Sequence, residues 1–327
     1  MKNKKETVSE TAPLVSIRCL AFNHEKYIRQ CLDGFVMQRT TFPVEIIVHD
    51  DASTDGTAAI IREYAERYPN IIPLLETENQ YSKKDGSLGR IMNAAVHGKY
   101  VALCEGDDYW TDPLKLQKQV DFLESHPDYA LVYTDVRFYY EAKKKLSDPV
   151  FHSGMIKRTT DFTEHLVNAG FLAPCTWVCR REVLPPPTTV YCDGTFPWML
   201  DLYHNSKIYY LDEATAVYRF LEESASHSKS LQKRYEYGRG ILKIQFDYIK
   251  KYGLSEDVKQ RVLRNRYAVL LPDAAAIGDR EFVREAQKFL KKLPLKKWER
   301  KALVTSASGL WDKYRFFIVS LYNRLVK

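Results

Sequence analysis

A cluster of three carboxylates follows a short apolar run near the middle of this 327-residue chain. The run is Tyr100 to Cys104, and the carboxylates belong to Glu105, Asp107 and Asp108. Because the run is typical of a buried strand, we expect the carboxylates at its carboxyl end, where open α/β sheets bind ligands. Carboxylate oxygens suit a divalent ion that completes its shell with phosphate oxygens. The pattern favours a site for a metal ion and a diphosphate, although Gly and Asp are also common in plain turns.

A second acidic segment follows another apolar run, Pro43 to His49. The residues from Asp50 to Thr57 read DDASTDGT and lead into an amphipathic pattern that predicts a helix. Ser, Thr and Asp side chains there would cap the first helical turn. Capping does not account for two adjacent aspartates at the end of a strand, so this loop is a second candidate for ligand contact.

Apolar runs alternate with helical patterns over the first part of the chain, including runs at Leu14 to Ala21, Ile71 to Leu75 and Asp128 to Thr134. This alternation predicts an α/β fold with a doubly wound, mostly parallel sheet. Residues 1–12 are polar and read as a disordered tail, whereas residues 229–327 read as a helical C-terminal region.

The second half of the chain has fewer strand signals. Thr176 to Arg180 predicts a strand, a helix begins near Phe196, and the segments Lys207 to Leu211 and Ala214 to Phe220 predict a strand pair. The helices expected after these lie at Tyr235 to Tyr252, Ser255 to Leu271, Arg280 to Leu293 and Gly309 to Val326.

Charge is distributed unevenly, because residues 229–327 contain 24 Lys and Arg against 10 Asp and Glu, or +14, while the remainder stands at −7. The basic region suggests an anionic partner such as a membrane surface or a phosphate-bearing acceptor, although solvated helix faces give the same count. Six cysteines without a paired CxxC motif favour reduced core thiols. The chain shows no apolar leader in its first 12 residues and no run near the ~20 residues of a membrane span, so we expect a cytoplasmic protein.

Four segments, VSIRCLAFNHEKYIRQCL, EIIVHDDASTDGT, GKYVALCEGDDYW and YALVYTD, resemble in order and spacing the nucleotide-binding half of family 2 glycosyltransferases, which have the GT-A fold. The resemblance covers residues 14–136. It implies a GT-A catalytic domain at 13–228, with a nucleotide-binding half at 13–136 and an acceptor half at 137–228. It also implies inverting transfer of a sugar from a nucleoside diphosphate sugar, with Mn²⁺ or Mg²⁺ as cofactor.

The same resemblance assigns residues to the donor. It places near the nucleotide Phe22, Asn23, Glu25, Asp51, Ser53, Arg90, Glu105, Asp107 and Arg219. Asp51 would accept a hydrogen bond from an imide N–H, which favours uracil or thymine. The implied metal ligands are Asp107, Asp108 and His227. Arg90 and His227 are equally compatible with exposed side chains that bind nothing.

An inverting transfer needs a carboxylate that takes the proton of the acceptor hydroxyl. The family commonly has this Asp immediately before the Phe196-Pro197 pair, where this chain has Thr195. Asp193 is therefore the first candidate for the general base, and Asp201, inside the following helix, is the second. A plain turn residue is the competing interpretation of Asp193.

We therefore expect a metal-dependent glycosyltransferase of surface polysaccharide synthesis, a hexosyl- or hexosaminyltransferase with a UDP-sugar donor and a glycan or lipid-linked acceptor. No nucleic-acid partner is expected, and the basic C-terminal helices either contact the inner face of the cell membrane or pack on their helical neighbours. A sugar nucleotidyltransferase is one alternative, but its Gly-rich, Lys-containing loop is absent after Ala21. A catalytically inactive nucleotide-sugar-binding protein is the other, and Thr195 and Glu105 are the best evidence for it.

Overall fold

The computed structural model describes residues 12–186, 191–221 and 230–307. The chain divides into two compact units that alternate along the sequence. Unit 1 consists of Met1–Arg137, Ala173–Thr189 and Ser206–Tyr218, and unit 2 of Phe138–Leu172, Val190–Asn205 and Arg219–Lys327.

A nine-stranded sheet confirms the expected α/β class. Its strands are β1 (Val15–Ala21), β2 (Val44–Asp50), β3 (Ile71–Leu75), β4 (Tyr100–Leu103), β5 (Tyr109–Trp110), β6 (Tyr129–Tyr140), β7 (Lys145–Pro149), β8 (Val178–Arg180) and β9 (Lys207–Phe220). The order is β3-β2-β1-β4-β8-β6-β9-β5, with β7 beside β6. The first four are parallel neighbours, β8 is antiparallel to β4 and β6, and β5 is antiparallel to β9.

Four helices belong to unit 1: α1 (Ile28–Val36), α2 (Thr57–Arg67), α3 (Ser87–Ala95) and α4 (Lys115–Ser125). Strand β1 has five fully or nearly fully buried residues out of seven, as expected when helices cover both faces of a parallel sheet. Helix α1 buries Ile28, Cys31, Leu32 and Phe35, whose spacing of three and four residues forms one apolar face.

Unit 2 contains the remaining helices: α5 (Phe162–Asn168), α6 (Thr195–Asn205), α7 (Leu231–Lys251), α8 (Glu256–Ile277), α9 (Arg280–Leu290) and α10 (Lys297–Ala307). Their buried side chains form one core that includes Leu200, Ile244, Leu271 and Phe282. Side-chain caps begin several of these helices; Ser255, for example, accepts a hydrogen bond from the Val258 N–H. Among the described residues, no helix has both the length and the apolar character needed to cross a bilayer.

Two expected elements differ from the structure. The strand pair after Lys207 is one continuous strand, β9, because no Gly, Pro or Asn stands between its halves to turn the chain. Asp212 and Glu213, at its middle, are exposed and so remain in water. Helix α8 continues past Pro272 to Ile277, since the core of unit 2 buries Pro272 and Ala274 and offsets the backbone hydrogen bond that proline removes. The helix expected at 309–326 lies outside the described residues.

Candidate active site

The acidic segments of unit 1 lie at neighbouring strand ends. Strand β1 pairs on one side with β2, where Ala21 lies opposite Asp50, and on the other with β4, where Arg18 lies opposite Leu103. The loops that follow continue this register, because the Asp51 N–H donates to the Ala21 carbonyl at 2.9 Å and the Gly106 N–H to the Leu20 carbonyl at 2.8 Å. Asp51 and the Glu105–Asp108 segment therefore leave the sheet on either side of β1, at its carboxyl edge.

Asp51 is 5% exposed, and both of its carboxylate oxygens accept backbone hydrogen bonds. The Gln80 N–H lies 2.6 Å from Oδ1 and the Tyr81 N–H lies 3.0 Å from Oδ2. The Asn79 amide also donates to the Asp51 carbonyl at 3.1 Å. The carboxylate thus fixes the turn that follows β3. Since each carboxylate oxygen has two lone pairs, it can still accept a hydrogen bond from a ligand.

Hydrogen bonds join the loop after β1 to the loop after β2. The Asn23 N–H donates to Ser53 Oγ at 2.8 Å, and the Thr54 N–H donates to Asn23 Oδ1 at 2.8 Å. Both loops contain a left-handed backbone at a residue other than glycine, with φ of 55° at Asn23 and 60° at Ala52. Such conformations cost free energy and persist where the surroundings hold them. The two loops form one rigid rim at the carboxyl edge of the sheet.

Besides Asp51, the rim contains four residues that were predicted to lie near the nucleotide, and hydrogen bonds of Asn23 and Ser53 stabilise the rim itself. Asn23, in the loop after β1, accepts a hydrogen bond from the loop after β2, and Ser53, in the loop after β2, accepts one from the loop after β1. The Glu25 N–H donates to Asp55 Oδ2 at 3.1 Å, and the Glu25 side chain packs against Gly56, where a Cβ would lie 2.6 Å from Oε1. Phe22 is 46% exposed, so its ring is accessible to a ligand.

The acidic loop after β4 is tightly turned. The Asp108 N–H donates to the Glu105 carbonyl at 3.0 Å. A Cβ at Gly106 would lie 2.9 Å from His24 Nδ1 and from Ile28 Cδ1, so only glycine fits there. Burial, together with the negative charge of Asp107, raises the pKa of Glu105 to about 7. The loop brings carboxylates close together, and their mutual repulsion favours the binding of a cation between them.

Asp107 is half-buried, whereas Asp108 is 2% exposed, and burial together with the Asp108 carboxylate raises the pKa of the Cys175 thiol. One or two carboxylates are the usual protein ligands of Mg²⁺. In residues 12–186, 191–221 and 230–307, no group of three or more His, Cys, Asp and Glu side chains is arranged to hold a metal ion. His227, the third ligand predicted, lies outside the described residues. Metal binding by Asp107 and Asp108 therefore stays a prediction, in which phosphate oxygens of a bound diphosphate would complete the shell of the ion.

Two other ionisable side chains at this edge were missed by sequence reasoning. Arg18 projects from β1 and donates a hydrogen bond to Asn93 Oδ1 at 2.9 Å. Burial lowers the pKa of Arg18, and the negative charge of Glu105 opposes that effect. His49 of β2 is fully buried, with Nε2 3.5 Å from Glu76 Oε1. Burial lowers the pKa of His49, and the Asp51 carboxylate acts in the opposite direction. An Arg and a His inside otherwise apolar strands were the available signal.

Arg90, predicted near the nucleotide, lies on the first turns of α3 and is exposed. Its guanidinium donates to the Asp85 carbonyl at 2.7 Å and to Ser87 Oγ at 3.1 Å. These bonds support the start of the helix, so contact with a nucleotide stays a prediction for this residue.

Asp193, in unit 2, lies two residues before Thr195, the first residue of α6. Its Oδ1 accepts hydrogen bonds from the Thr195 N–H at 2.8 Å, the Thr195 hydroxyl at 2.9 Å and the Phe196 N–H at 2.7 Å. Its Oδ2 accepts one from the Tyr237 hydroxyl at 2.6 Å. The residue is thus a helix cap in which one oxygen is saturated and the other keeps an acceptor position.

Asp201, the second base candidate, lies within α6 and is tied to α7. Lys251 Nζ and the Tyr252 hydroxyl donate to Oδ1 at 2.6 and 2.9 Å, and the Tyr248 hydroxyl donates to Oδ2 at 2.7 Å. Both oxygens and the negative charge are therefore engaged in joining two helices.

Arg219, predicted to contact the diphosphate, is 7% exposed in unit 2. Its Nη1 donates to Glu141 Oε2 at 3.2 Å, and its guanidinium lies 5.4 Å from the centroid of the Tyr139 ring. An acidic partner and an aromatic ring fix its position, while binding of a diphosphate stays a prediction.

Similar proteins were found by sequence and by structure. The model of glycosyl transferase family 2 matches residues 16–185. The uncharacterized protein Rv1520 of Mycobacterium tuberculosis is 40% identical over 228 residues, which are 67% of this chain and 62% of that protein. The chain therefore covers less than two thirds of the length of this curated relative.

Two solved structures share the fold. Residues 1–349 of TarS from S. aureus, crystallised with UDP-GlcNAc, have a TM-score of 0.56 at 19% identity, over 92% of this chain and 91% of theirs. The mannosyltransferase PcManGT from Pyrobaculum calidifontis, in complex with GDP-Man and Mn²⁺, has a TM-score of 0.55 at 17% identity, over 97% and 86%. These matches confirm the GT-A architecture. Since the family model covers more than half of the chain, the protein belongs to glycosyl transferase family 2.

Proposed function

We propose that this protein is an inverting, metal-dependent glycosyltransferase that moves a hexosyl or hexosaminyl group from a UDP-sugar to a glycan or lipid-linked acceptor. The observation that carries the proposal is the position of Asp51 and of the Glu105–Asp108 loop on either side of β1, in a chain of glycosyl transferase family 2. One loop offers an acceptor for a nucleobase, and the other offers carboxylates for a metal diphosphate. A nucleoside diphosphate requires both.

The nucleoside is proposed to bind beside Phe22 and Asp51. The exposed ring of Phe22 supplies a stacking surface, and the Asp51 carboxylate accepts a hydrogen bond from an imide N–H. Uracil presents such a group at N3, and guanine presents a comparable one at N1. UDP is our first choice because TarS, which shares the fold over 92% of this chain, was crystallised with UDP-GlcNAc. GDP is the competing nucleotide.

Asp107 and Asp108 are the residues that would hold Mn²⁺ or Mg²⁺, and the PcManGT complex with Mn²⁺ supports this part of the proposal. The ion would supply charge neutralisation to the departing diphosphate. Arg18, Arg90 and Arg219 are further cations of this chain that can interact with the phosphates or the sugar. His227 remains a predicted ligand.

Asp193 is the proposed general base in preference to Asp201. A base must accept the proton of the acceptor hydroxyl through a free lone pair, and Asp193 Oδ2 receives one hydrogen bond, from Tyr237. The oxygens of Asp201 receive three, one of them from the ammonium group of Lys251. Proton acceptance by Asp201 would break the contact between α6 and α7.

Surface polysaccharide synthesis, on the cytoplasmic face of the membrane, is the proposed setting. The support is the basic region at 229–327, which suits an anionic membrane or a phosphate-bearing acceptor.

Donor turnover is the direct test. The purified chain is incubated with UDP-Glc, UDP-GlcNAc, UDP-Gal or GDP-Man, with Mn²⁺ or with a chelator, and released nucleoside diphosphate is measured. We expect release from one UDP-sugar with metal and a loss of at least about 100-fold in the Asp107→Asn or Asp108→Asn variant. Nucleotide binding without turnover, even with acceptor glycans, would favour the inactive binding protein. Pyrophosphate release from a nucleoside triphosphate and a sugar phosphate would favour the nucleotidyltransferase.

A further inference from the structure

The last two helices of the described chain form an exposed basic surface. We define the basic surface by eight exposed cations of α9, α10 and their connection: Arg280, Arg284, Lys288, Lys291, Lys292, Lys296, Lys297 and Arg300. In the part of the chain that the structure describes, none of the eight forms an ion pair. Cations elsewhere in unit 2 do pair, such as Lys251 with Asp201 and Lys243 with Asp247. The charges of the basic surface are therefore available to a partner.

Helix α9 directs its cations to one side. Arg280, Arg284 and Lys288 follow each other at intervals of four residues, which places them on one stripe of the helix. The opposite stripe consists of Phe282, Ala286 and Leu290, all buried in the core of unit 2. Packing of that apolar stripe fixes which way the cationic stripe faces.

Helix α10 is also held in one orientation. Glu299 is 1% exposed and accepts hydrogen bonds from Nε and Nη2 of Arg264 at 2.8 Å each, and Ala302 is buried beside it. Lys297, Arg300 and Val304 lie on the other side at helical spacing, and Val304 is 64% exposed. Val304 thus adds one exposed apolar side chain to the cationic side of α10.

We propose that the basic surface docks on a bilayer that contains anionic lipids. Its unpaired charges complement lipid phosphates, and Val304 gains from contact with the boundary between headgroups and acyl chains. A phosphorylated polymer in water would match the charges but would leave Val304 exposed. This inference deepens the proposed membrane setting and rests on it, whereas the vesicle assay needs no sugar transfer, so its failure is distinct from failure of the proposed transferase activity.

Vesicle sedimentation tests this surface with the full chain. The probes are vesicles of pure phosphatidylcholine and vesicles with 30% phosphatidylglycerol, each at low and high salt. We expect binding to the anionic vesicles alone, and weaker binding at high salt because screening shortens the reach of the charges. A cation near an anionic bilayer contributes roughly a factor of five, so the R280Q/R284Q/K288Q variant should bind on the order of 100-fold more weakly.

The R62Q/R67Q/K145Q variant is the matched control, because it removes three exposed cations that do not belong to the basic surface. Its binding should equal that of the wild type. The proposal is wrong if both triple variants lose binding equally, or if pure phosphatidylcholine is bound as tightly. Val304→Ser, a change at an exposed position, should weaken vesicle binding severalfold and leave binding of soluble polyphosphate unchanged. Equal effects on both probes would assign the surface to an anionic polymer.

Discussion

The Asp51 carboxylate serves the fold and the proposed nucleotide site at the same time. Two backbone N–H groups of the turn at 80–81 fill one acceptor position on each oxygen, and the remaining positions are available to a base. Hydrogen bonds from the backbone also hold the carboxylate in place before any ligand arrives. Such preorganisation lowers the entropic cost of recognition.

Replacement of Asp51 by Asn should alter base preference. The Asn amide can donate to N3 of cytosine, whereas the Asp carboxylate can only accept, from N3–H of uracil. We expect the ratio of UDP affinity to CDP affinity to fall at least about tenfold, because a mismatched buried polar group is costly. Calorimetric titration of both nucleotides measures this ratio, with Glu78→Gln as an exposed control. An unchanged ratio with uniformly weaker binding would show that Asp51 acts through the turn alone.

Substitutions of the two candidates for the general base should cause different defects. Asp193→Asn should reduce kcat by at least about 100-fold with little change in the donor KM, because the carboxylate is needed only to accept the proton. Asp201→Asn should mainly reduce the stability of unit 2, because it weakens the hydrogen bonds from Tyr248 and Tyr252 and removes the half-exposed ion pair with Lys251. Kinetics and chemical denaturation of both variants distinguish these outcomes. Full activity in Asp193→Asn would reject the assignment.

The bounds of the strands and helices show which parts of the fold can be predicted from the sequence. Strand β3 has the expected bounds, and β1 and β4 differ by one residue from theirs, because apolar runs bounded by polar turns define buried strands. Strand β9 was divided because its exposed Asp212 and Glu213 resemble a turn, although nothing there reverses the chain. Helix α5 and strand β7 are only seven and five residues long, and the local signal for α5 is Asp161, which caps its first turn by accepting a hydrogen bond from the Glu164 N–H.

Side-chain partners were the least predictable part of the candidate site. The aspartates were found because carboxylates at strand ends are a local pattern. The Tyr237 partner of Asp193 lies 44 residues away, and the three donors to Asp201 come from α7. Contacts over such separations depend on how helices pack, which periodicity alone does not determine.

Helix α5 contains a histidine that should make stability depend on pH. His165 is 1% exposed, its Nδ1 lies 2.8 Å from Thr159 Oγ1, and burial lowers its pKa to about 3. The unfolded chain, with a His pKa of about 6.5, therefore binds the proton more readily than the folded protein. Stability contributed by neutral His165 is complete above about pH 6.5 and falls as pH decreases toward 3, by at most about 1.4 kcal/mol per pH unit.

Urea denaturation at pH 7.5 and pH 5 measures this effect. The wild type should lose more free energy of unfolding between the two pH values than His165→Gln, which cannot take up the proton. The difference expected is about 2 kcal/mol. His152→Gln, an exposed histidine of the same unit, is the control and should behave like the wild type. Equal pH dependence of wild type and His165→Gln would contradict the assignment.

The whole molecule combines a donor unit whose strand ends match family 2 with a helical unit that contains the proposed base and the basic surface. Each unit has a separate test. Nucleotide affinity reports on unit 1, and vesicle binding and the His165 titration report on unit 2, while donor turnover requires both units because Asp193 belongs to unit 2. A protein that shows nucleotide binding without vesicle binding, or the reverse, therefore identifies the unit for which the proposal is wrong.

The most direct test of the account is a thermal unfolding series with UDP, dTDP, GDP and CMP, each with Mn²⁺, with Mg²⁺ or with a chelator. A nucleotide at about 100 times its Kd adds roughly 2.7 kcal/mol to the stability of a folded state that alone binds it. We predict that UDP with metal raises the Tm and that Asp107→Asn and Asp108→Asn each remove the metal-dependent part of the rise. If no nucleotide raises the Tm under any metal condition, the proposed donor site at the carboxyl edge of the sheet is contradicted.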